Sequence, residues 1–482
     1  MRMARTTRTK KTPTVSDSSK PSPAAPLLAV SQFDVDFVIP RAGVDLPLGI
    51  DPFLMFKSRS DDLQKQHALI IGAFNLAIDD LRSGHEDRVR TLLDFPEVSE
   101  IGLGYSKGNK KGAGVGRFLS ELLVEALRET PALMSRGIHH IEEMQLLSVG
   151  IGPDRISDIA ANLIKRFLVD YTRTQADAWG IPLQDSVPIE HVWDPVNGGW
   201  EDGYFDLPVS PIDGSPILLV PRRIVRSLPW INYDDFYRSE FSAYLRSRKV
   251  RGRVKSGSAI APADKSHVIA TTRNEVERLD RYVRLKEAAA ADAHPSQQYT
   301  HDLSICNETE SLKKRLDATP TGREDSAAYQ RLVMEIFNCL FAPDLIDGRL
   351  EVRTEYGTER RDVVFLNDSD KTFWSYLRQE HSTLLLLLET KNTDEPQPAD
   401  LNQTATYLGD RMGRLGIIVT RQPHKESHQR KMFSIYNDSN PRKIVLWLSD
   451  LDLKSMLDDI CHGRDAMKSL REIYRKFRQS VQ

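Results

Sequence analysis

Apolar and polar positions alternate along this chain in blocks of different period, and the blocks divide it. Residues 33–39 alternate as a half-buried strand does, and residues 67–81 repeat at helical spacing. Phe118, Leu119, Leu122, Leu123 and Leu127 mark one side of a helix over residues 118–128, and a longer helix is predicted from about 154 to 179. Together these predict an N-terminal α+β domain over residues 30–187, suited to recognition or sensing. Residues 188–240 change to short apolar stretches broken by Pro and Gly, the texture of a small β-rich bridge. A helix is predicted over 236–250. Residues 241–322 are charged and Ala-rich, which predicts a connector of solvent-facing helices.

The last block, residues 323–482, has the clearest periodicity. It predicts an amphipathic helix over 327–340, a hairpin of strands over 350–354 and 362–366, and an apolar strand over 383–391. A helix over 399–411, a strand over 415–420, a helix over 424–435 and a strand over 443–448 follow. The order predicts a mixed β-sheet covered by helices on both faces, and the whole chain reads as a multidomain α/β protein.

The apolar strand ends in charge. Five successive leucines, Leu384 to Leu388, suit a strand buried on both faces, and Glu389-Thr390-Lys391 follow directly. Side chains alternate along a strand, so Glu389 and Lys391 share one face and Thr390 takes the other. Opposite charges at the end of such a strand are costly to bury without a partner or a task. Asp362 opens the preceding strand, Asp362-Val363-Val364-Phe365, and is placed to pair beside Glu389. Two carboxylates and an ammonium at one sheet end suit metal-assisted phosphodiester hydrolysis, with Mg²⁺ held by carboxylates and water. The lysine would orient water or offset charge developing on phosphorus.

Asp362 with Glu389-x-Lys391 resembles the PD-(D/E)xK nuclease superfamily, of restriction-endonuclease-like fold. Gln403-x-x-x-Tyr407 on the next predicted helix resembles the motif of its Mrr- and RecB-like branch, and Glu335 on the preceding helix matches an acidic residue near the metal in many members. Arg361 stands where the family has proline. The resemblance covers roughly residues 323–469. It implies Asp362, Glu389 and Glu335 as ligands of Mg²⁺ or Mn²⁺, with the carbonyl of Thr390 as a further ligand. It also implies Lys391 as the residue that activates water or stabilises the transition state, and Gln403 and Tyr407 as catalytic-site residues that support the site or touch a DNA phosphate. Double-stranded DNA would be the substrate, in bacterial restriction or anti-phage defence. An RNA-cleaving or DNA-repair nuclease, or a DNA- or effector-binding regulator with a vestigial site, stays open. A homodimer and a partner or trigger from the same operon or a phage are compatible with it.

Other signals add less. Arg246, Arg248, Lys249, Arg251, Arg253 and Lys255 form a basic run that could track a phosphate backbone, or solvate a linker. A Gly- and Lys-rich loop from Lys107 to Arg117 lacks the Walker A pattern. His139-His140-Ile141-Glu142-Glu143 reads as a polar surface more readily than as metal ligands. Asp154 and Asp158 share a helix face, and Trp230 beside Arg222, Arg223 and Arg226 reads as packing before base stacking.

The net charge of −2 gives no overall pull toward nucleic acid, so any such surface must arise by local segregation. Residues 1–29 are basic and lack the apolar segment of a secretory signal, which predicts a disordered tail. Three cysteines, far apart, argue against a disulfide framework or zinc ribbon and fit a reducing cytoplasm. No apolar run is long enough to span a bilayer, so no membrane association is expected.

Overall fold

The computed structural model describes residues 28, 30–41, 46–103, 114–241, 264–296, 305–353 and 360–481. The basic run from Arg246 to Lys255, most of the tail and most of the Gly- and Lys-rich loop lie outside these residues.

The N-terminal part is mostly helical. Its strands form three two-stranded pairs: β1 (Phe37–Val38) with β5 (Val220–Pro221), β2 (Gly49–Ile50) with β6 (Val225–Arg226), and the hairpin of β3 (Gln184–Asp194) with β4 (Gly199–Leu207). The strand expected over 33–39 is paired only at Phe37–Val38, and the helix expected over 154–179 divides at Ile164 into Pro153–Leu163 and Lys165–Trp179.

One apolar core runs through this part, and it redraws the expected boundaries. Val187, Ile189, Val192 and Leu207 of the hairpin share that core with Leu218, Val225 and Phe236, so residues 188–240 are not a separate bridge. The helices Lys265–Asn274 and Val276–Ala288 add Val268, Val276, Leu279, Tyr282 and Val283 to it. The next helix, Ile305–Ala318, instead gives Leu312 and Leu316 to the C-terminal core. The expected connector is thus shared between two cores. Its many charges hid an apolar stripe on each helix, because such a stripe needs only every third or fourth position.

The C-terminal part is a five-stranded mixed sheet in the order β11 (Ile444–Ser449), β10 (Leu415–Thr420), β9 (Leu385–Lys391), β8 (Arg360–Asn367) and β7 (Leu345–Arg353). β7, β8 and β9 run antiparallel in turn. β10 and β11 run parallel to β9. The helix Ser326–Phe341 covers the face bearing Val363 and Phe365, where Phe337 stacks on Phe365 at 6.0 Å. The helix Pro398–Tyr407 covers the other face. Gly416 of β10 admits it, since a Cβ there would sit 3.0 Å from Leu408. Between β8 and β9 the helix Thr372–His381, absent from the expected order, buries Trp374 against Phe341.

Gly413, entering β10, has φ +88, and a Cβ there would lie 2.8 Å from Thr383 Cα and 3.0 Å from the Leu385 carbonyl oxygen. Neither neighbour is a flexible side chain. Gly413→Ala should therefore lower stability by about 2 kcal/mol or more, read as a fall in the urea midpoint at unchanged slope.

The structure joins Cys306 to Cys461 in a disulfide, tying the helix Ile305–Ala318 to the end of the helix Asp450–Cys461. This corrects the expectation of unpaired cysteines and removes the cysteine argument for a reducing compartment. The sequence separation of 155 residues concealed the pairing. No helix among the described residues is long and apolar enough to cross a membrane.

Candidate active site

Asp362, Glu389 and Lys391 meet at one end of the sheet. The β8–β9 ladder stops at the Val363–Leu388 pair. Beyond it the Asp362 carboxylate takes over as acceptor: Oδ2 receives the Thr390 backbone N–H at 2.8 Å and the Thr390 hydroxyl at 2.9 Å. The strands diverge here because a side chain has replaced a backbone carbonyl. Gln330 of the helix Ser326–Phe341 donates to the Asp362 carbonyl oxygen at 2.6 Å and fixes the backbone behind it.

Glu389 is 2% exposed at the end of a run of fully buried leucines, Leu386 to Leu388. Burial, then the nearby Asp362 carboxylate, push its carboxyl from 4.5 up to about 7, against the pull of Lys391. Lys391 Nζ lies 3.0 Å from Glu389 Oε1, while Oε2 is buried with no hydrogen-bond partner among the described residues. An ionisable oxygen left in that condition costs about 1–3 kcal/mol or more, which ligand binding would recover.

Lys391 gathers the rest of the site. Its ammonium donates to Gln403 Oε1 at 2.9 Å and lies 3.7 Å from Asp400 Oδ1. Burial pulls its pKa down, but Glu389, Asp400 and Asp362 more than offset this and hold it above the ordinary lysine value. Gln403 Nε2 in turn donates to the Tyr407 hydroxyl at 3.2 Å. Asp400, Gln403 and Tyr407 fall at i, i+3 and i+7 on the helix Pro398–Tyr407, so one face presents all three. Asp400 also accepts from the Gln397 N–H at 2.8 Å, closing the helix N-terminus.

Glu335 does not join this group. It sits on the helix over the opposite sheet face, paired with Arg315 and beside Asp34 of the N-terminal part. Burial raises its pKa and Arg315 opposes the rise. The helix residue that reaches the site is Gln330, five positions earlier and so on another face. Among the described residues no group of three or more His, Cys, Asp or Glu is placed to hold a metal. Asp362 and Glu389 remain as a pair.

Three contributors lie outside the expected set: Gln330, Asp400 and the Thr390 hydroxyl. Asp400 was legible as the third member of the Gln403–Tyr407 helical face. The Thr390 hydroxyl was not, because alternation assigns it to the other side of the strand and only the local divergence turns it toward Asp362. Thr390→Val keeps the shape and removes that hydroxyl donor. It should cost about 1 kcal/mol in denaturant stability and lower turnover about tenfold, since the carboxylate loses half its support.

The weaker signals resolve into structure. Trp230 lies under Lys286 and Arg226, at 3.6 and 5.4 Å from its ring, and Arg222 and Arg223 are buried beside Asp36. The His139–Glu143 segment is not the polar surface expected but is largely buried: His140 bonds Glu287 at 3.0 Å, Glu143 pairs with Arg136, and Glu142 lies beside Asp51. Asp158 is pushed up to about 8 by burial and then by Asp154, which relieves the like-charge repulsion on that helix.

Comparison with known proteins gives two matches, both partial. A family described as "Domain of unknown function (DUF8370)" matches residues 28–232, less than half of the chain and ending before β7. An 80.3 kDa protein of Escherichia coli (strain K12) attributed to transposon gamma-delta is 23% identical over 129 residues. That match covers 25% of this chain and 18% of the other protein. No solved structure matches the chain.

Proposed function

We propose that the C-terminal sheet carries a metal-dependent nuclease site of the PD-(D/E)xK kind, acting on double-stranded DNA. The observation that carries this reading is the buried, unpartnered Glu389 Oε2 beside Asp362, with a protonated lysine at its other oxygen. Two carboxylates fit Mg²⁺ or Mn²⁺, which keep several waters and need few protein ligands. Asp362 and Glu389 would hold the ion. When bound, it supplies polarisation of a phosphate oxygen and a more acidic water.

The chain's own residues do the rest. Thr390 and Gln330 hold Asp362 in place from two sides. Lys391 stays protonated among three carboxylates, so its role is to offset charge developing on the phosphate rather than to take a proton from water. Gln403, steadied by Tyr407, keeps the ammonium aimed along the strand end. We assign the activity to bacterial restriction or anti-phage defence, with the N-terminal part recognising the target or trigger. Similarity to a protein attributed to a transposon supports a setting of mobile or foreign DNA.

Incubation of supercoiled plasmid with the full chain tests this. Nicked or linear DNA should appear with Mg²⁺ or Mn²⁺ and not with a chelator. Intact DNA under both metals, with and without extract of infected cells, overturns the reading. Cleavage of RNA alone selects the ribonuclease alternative. Binding of DNA without cleavage selects the regulator with a vestigial site.

A further inference from the structure

The C-terminal helix Met467–Ser480 is anchored along one face and charged along another. Met467, Leu470, Tyr474 and Phe477 are buried in the C-terminal core. Lys468, Arg471, Arg475 and Arg478 follow at i, i+3, i+7 and i+10, a single stripe about 15 Å long. The first three are exposed and the fourth is half-buried. Arg471 and Arg478 lean over the rings of Phe373 and Tyr436, each at 5.9 Å, and Arg442 lies over the same Tyr436 ring at 4.9 Å. These ring contacts fix the row's lower edge.

Little on the protein neutralises this row. Arg471 reaches Asp465 only at 4.0 Å, and no ion pair joins Lys468 or Arg475 to any described residue. Glu472 is the helix's one acid. In a chain of net charge −2, such concentration is local segregation, held against its own repulsion.

We propose that the Lys468–Arg471–Arg475–Arg478 stripe docks a nucleic-acid phosphate backbone, independently of base sequence and away from the cut. The choice of nucleic acid rests on the nuclease reading. The geometry supports it separately: a straight, rigid row of cations, mostly arginine forks, matches a regular row of phosphates. An anionic membrane surface fits less well, because the apolar side of this helix is committed to the core and cannot insert. Tyr474 bonds Tyr376 at 3.2 Å and His381 at 2.8 Å. The stripe therefore sits beside the helix Thr372–His381, at the end of β9 opposite Glu389. From Leu385 to Glu389 the strand covers about 13 Å, or roughly four base pairs of duplex.

The test measures binding of a fluorescein-labelled DNA duplex by the full chain carrying Glu389→Gln, so that cleavage does not interfere. Adding Lys468→Gln and Arg475→Gln, which touch no ring or acid, should weaken binding about 10- to 100-fold near 0.1 M NaCl. The slope of log K against log salt should become shallower by about 2, and the swap Lys468→Arg with Arg475→Lys should restore both. Unchanged affinity and slope overturn the proposal. So does a loss confined to phosphatidylcholine–phosphatidylserine vesicles with DNA binding intact. A wild-type chain that binds DNA through the stripe yet never cleaves sinks the nuclease reading and leaves the stripe standing. Cleavage that is indifferent to the stripe does the reverse.

Discussion

Glu389→Gln is expected to cripple cleavage while making the folded chain more stable at pH 8, when no metal is added. The unfolded chain releases the Glu389 proton near 4.5, but the folded chain holds it until about 7. The folded form is therefore favoured at Glu389 below pH 4.5, and that contribution is lost as pH rises through 7. Above pH 7 the ionised, buried carboxylate stands at full penalty, about 3 kcal/mol as an upper bound. Glutamine removes the charge and keeps an acceptor for Lys391, so a gain of about 1–3 kcal/mol is expected, a rise of several degrees in thermal midpoint. Mg²⁺ or Mn²⁺ should raise the midpoint of the wild-type chain at pH 8, less so at pH 6, and leave the variant unmoved. Wild-type binding should release protons near neutral pH, because the ligand form is the carboxylate. Turnover should fall on the order of 10³-fold, the loss of about 4 kcal/mol of transition-state stabilisation. An unstabilised variant, or one that cleaves at near the wild-type rate, would break the link between the buried oxygen and the metal.

Lys391→Ala should lower cleavage by about 10²–10³-fold, with a signature in the pH profile as well as the rate. Lys391 is what pulls the Glu389 carboxyl down. Without it, burial and Asp362 act unopposed, and the alkaline rise in activity should move to higher pH. Raising the pH should then recover part of the lost metal affinity, but not the charge that the ammonium offers the phosphate. Lys391→Arg restores charge without the compact geometry that fits between Glu389, Gln403 and Asp400. It should recover the pH profile more fully than the rate. A uniform loss of rate at every pH would make Lys391 a structural contact only.

Much of the sheet end was legible in the residues themselves. A run of leucines closing on Glu-Thr-Lys announces a central strand, and the Gln403–Tyr407 spacing announces a helix that looks back at it. Those signals are local, set by periods of two and 3.6. Glu335 failed because the type of a residue on a helix does not tell which of its faces meets the sheet. A shift of five positions, from Gln330 to Glu335, moves a side chain from the site to the Arg315 contact. The helix Thr372–His381 was missed for another reason. Its buried residues, Phe373, Trp374, Leu377 and His381, are few and mixed with charge, so tertiary packing rather than pattern selects it. The division of the 241–322 segment between two cores is likewise a property of what each helix lands on.

That division decides where the chain can be cut for study. A fragment beginning at 323, where the polarity pattern changes, would leave behind Leu312, Leu316 and Cys306, and with them the helix packed on Ser326–Phe341 and Asp450–Cys461 and its covalent tie. A fragment beginning at 305 keeps these but loses Arg59 and Arg223, the counter-charges of Asp368, Asp370 and Asp347. The acids would then face solvent on a surface shaped to be covered. Either truncation reports on a damaged object, so the smallest honest unit for enzymology is the two halves together.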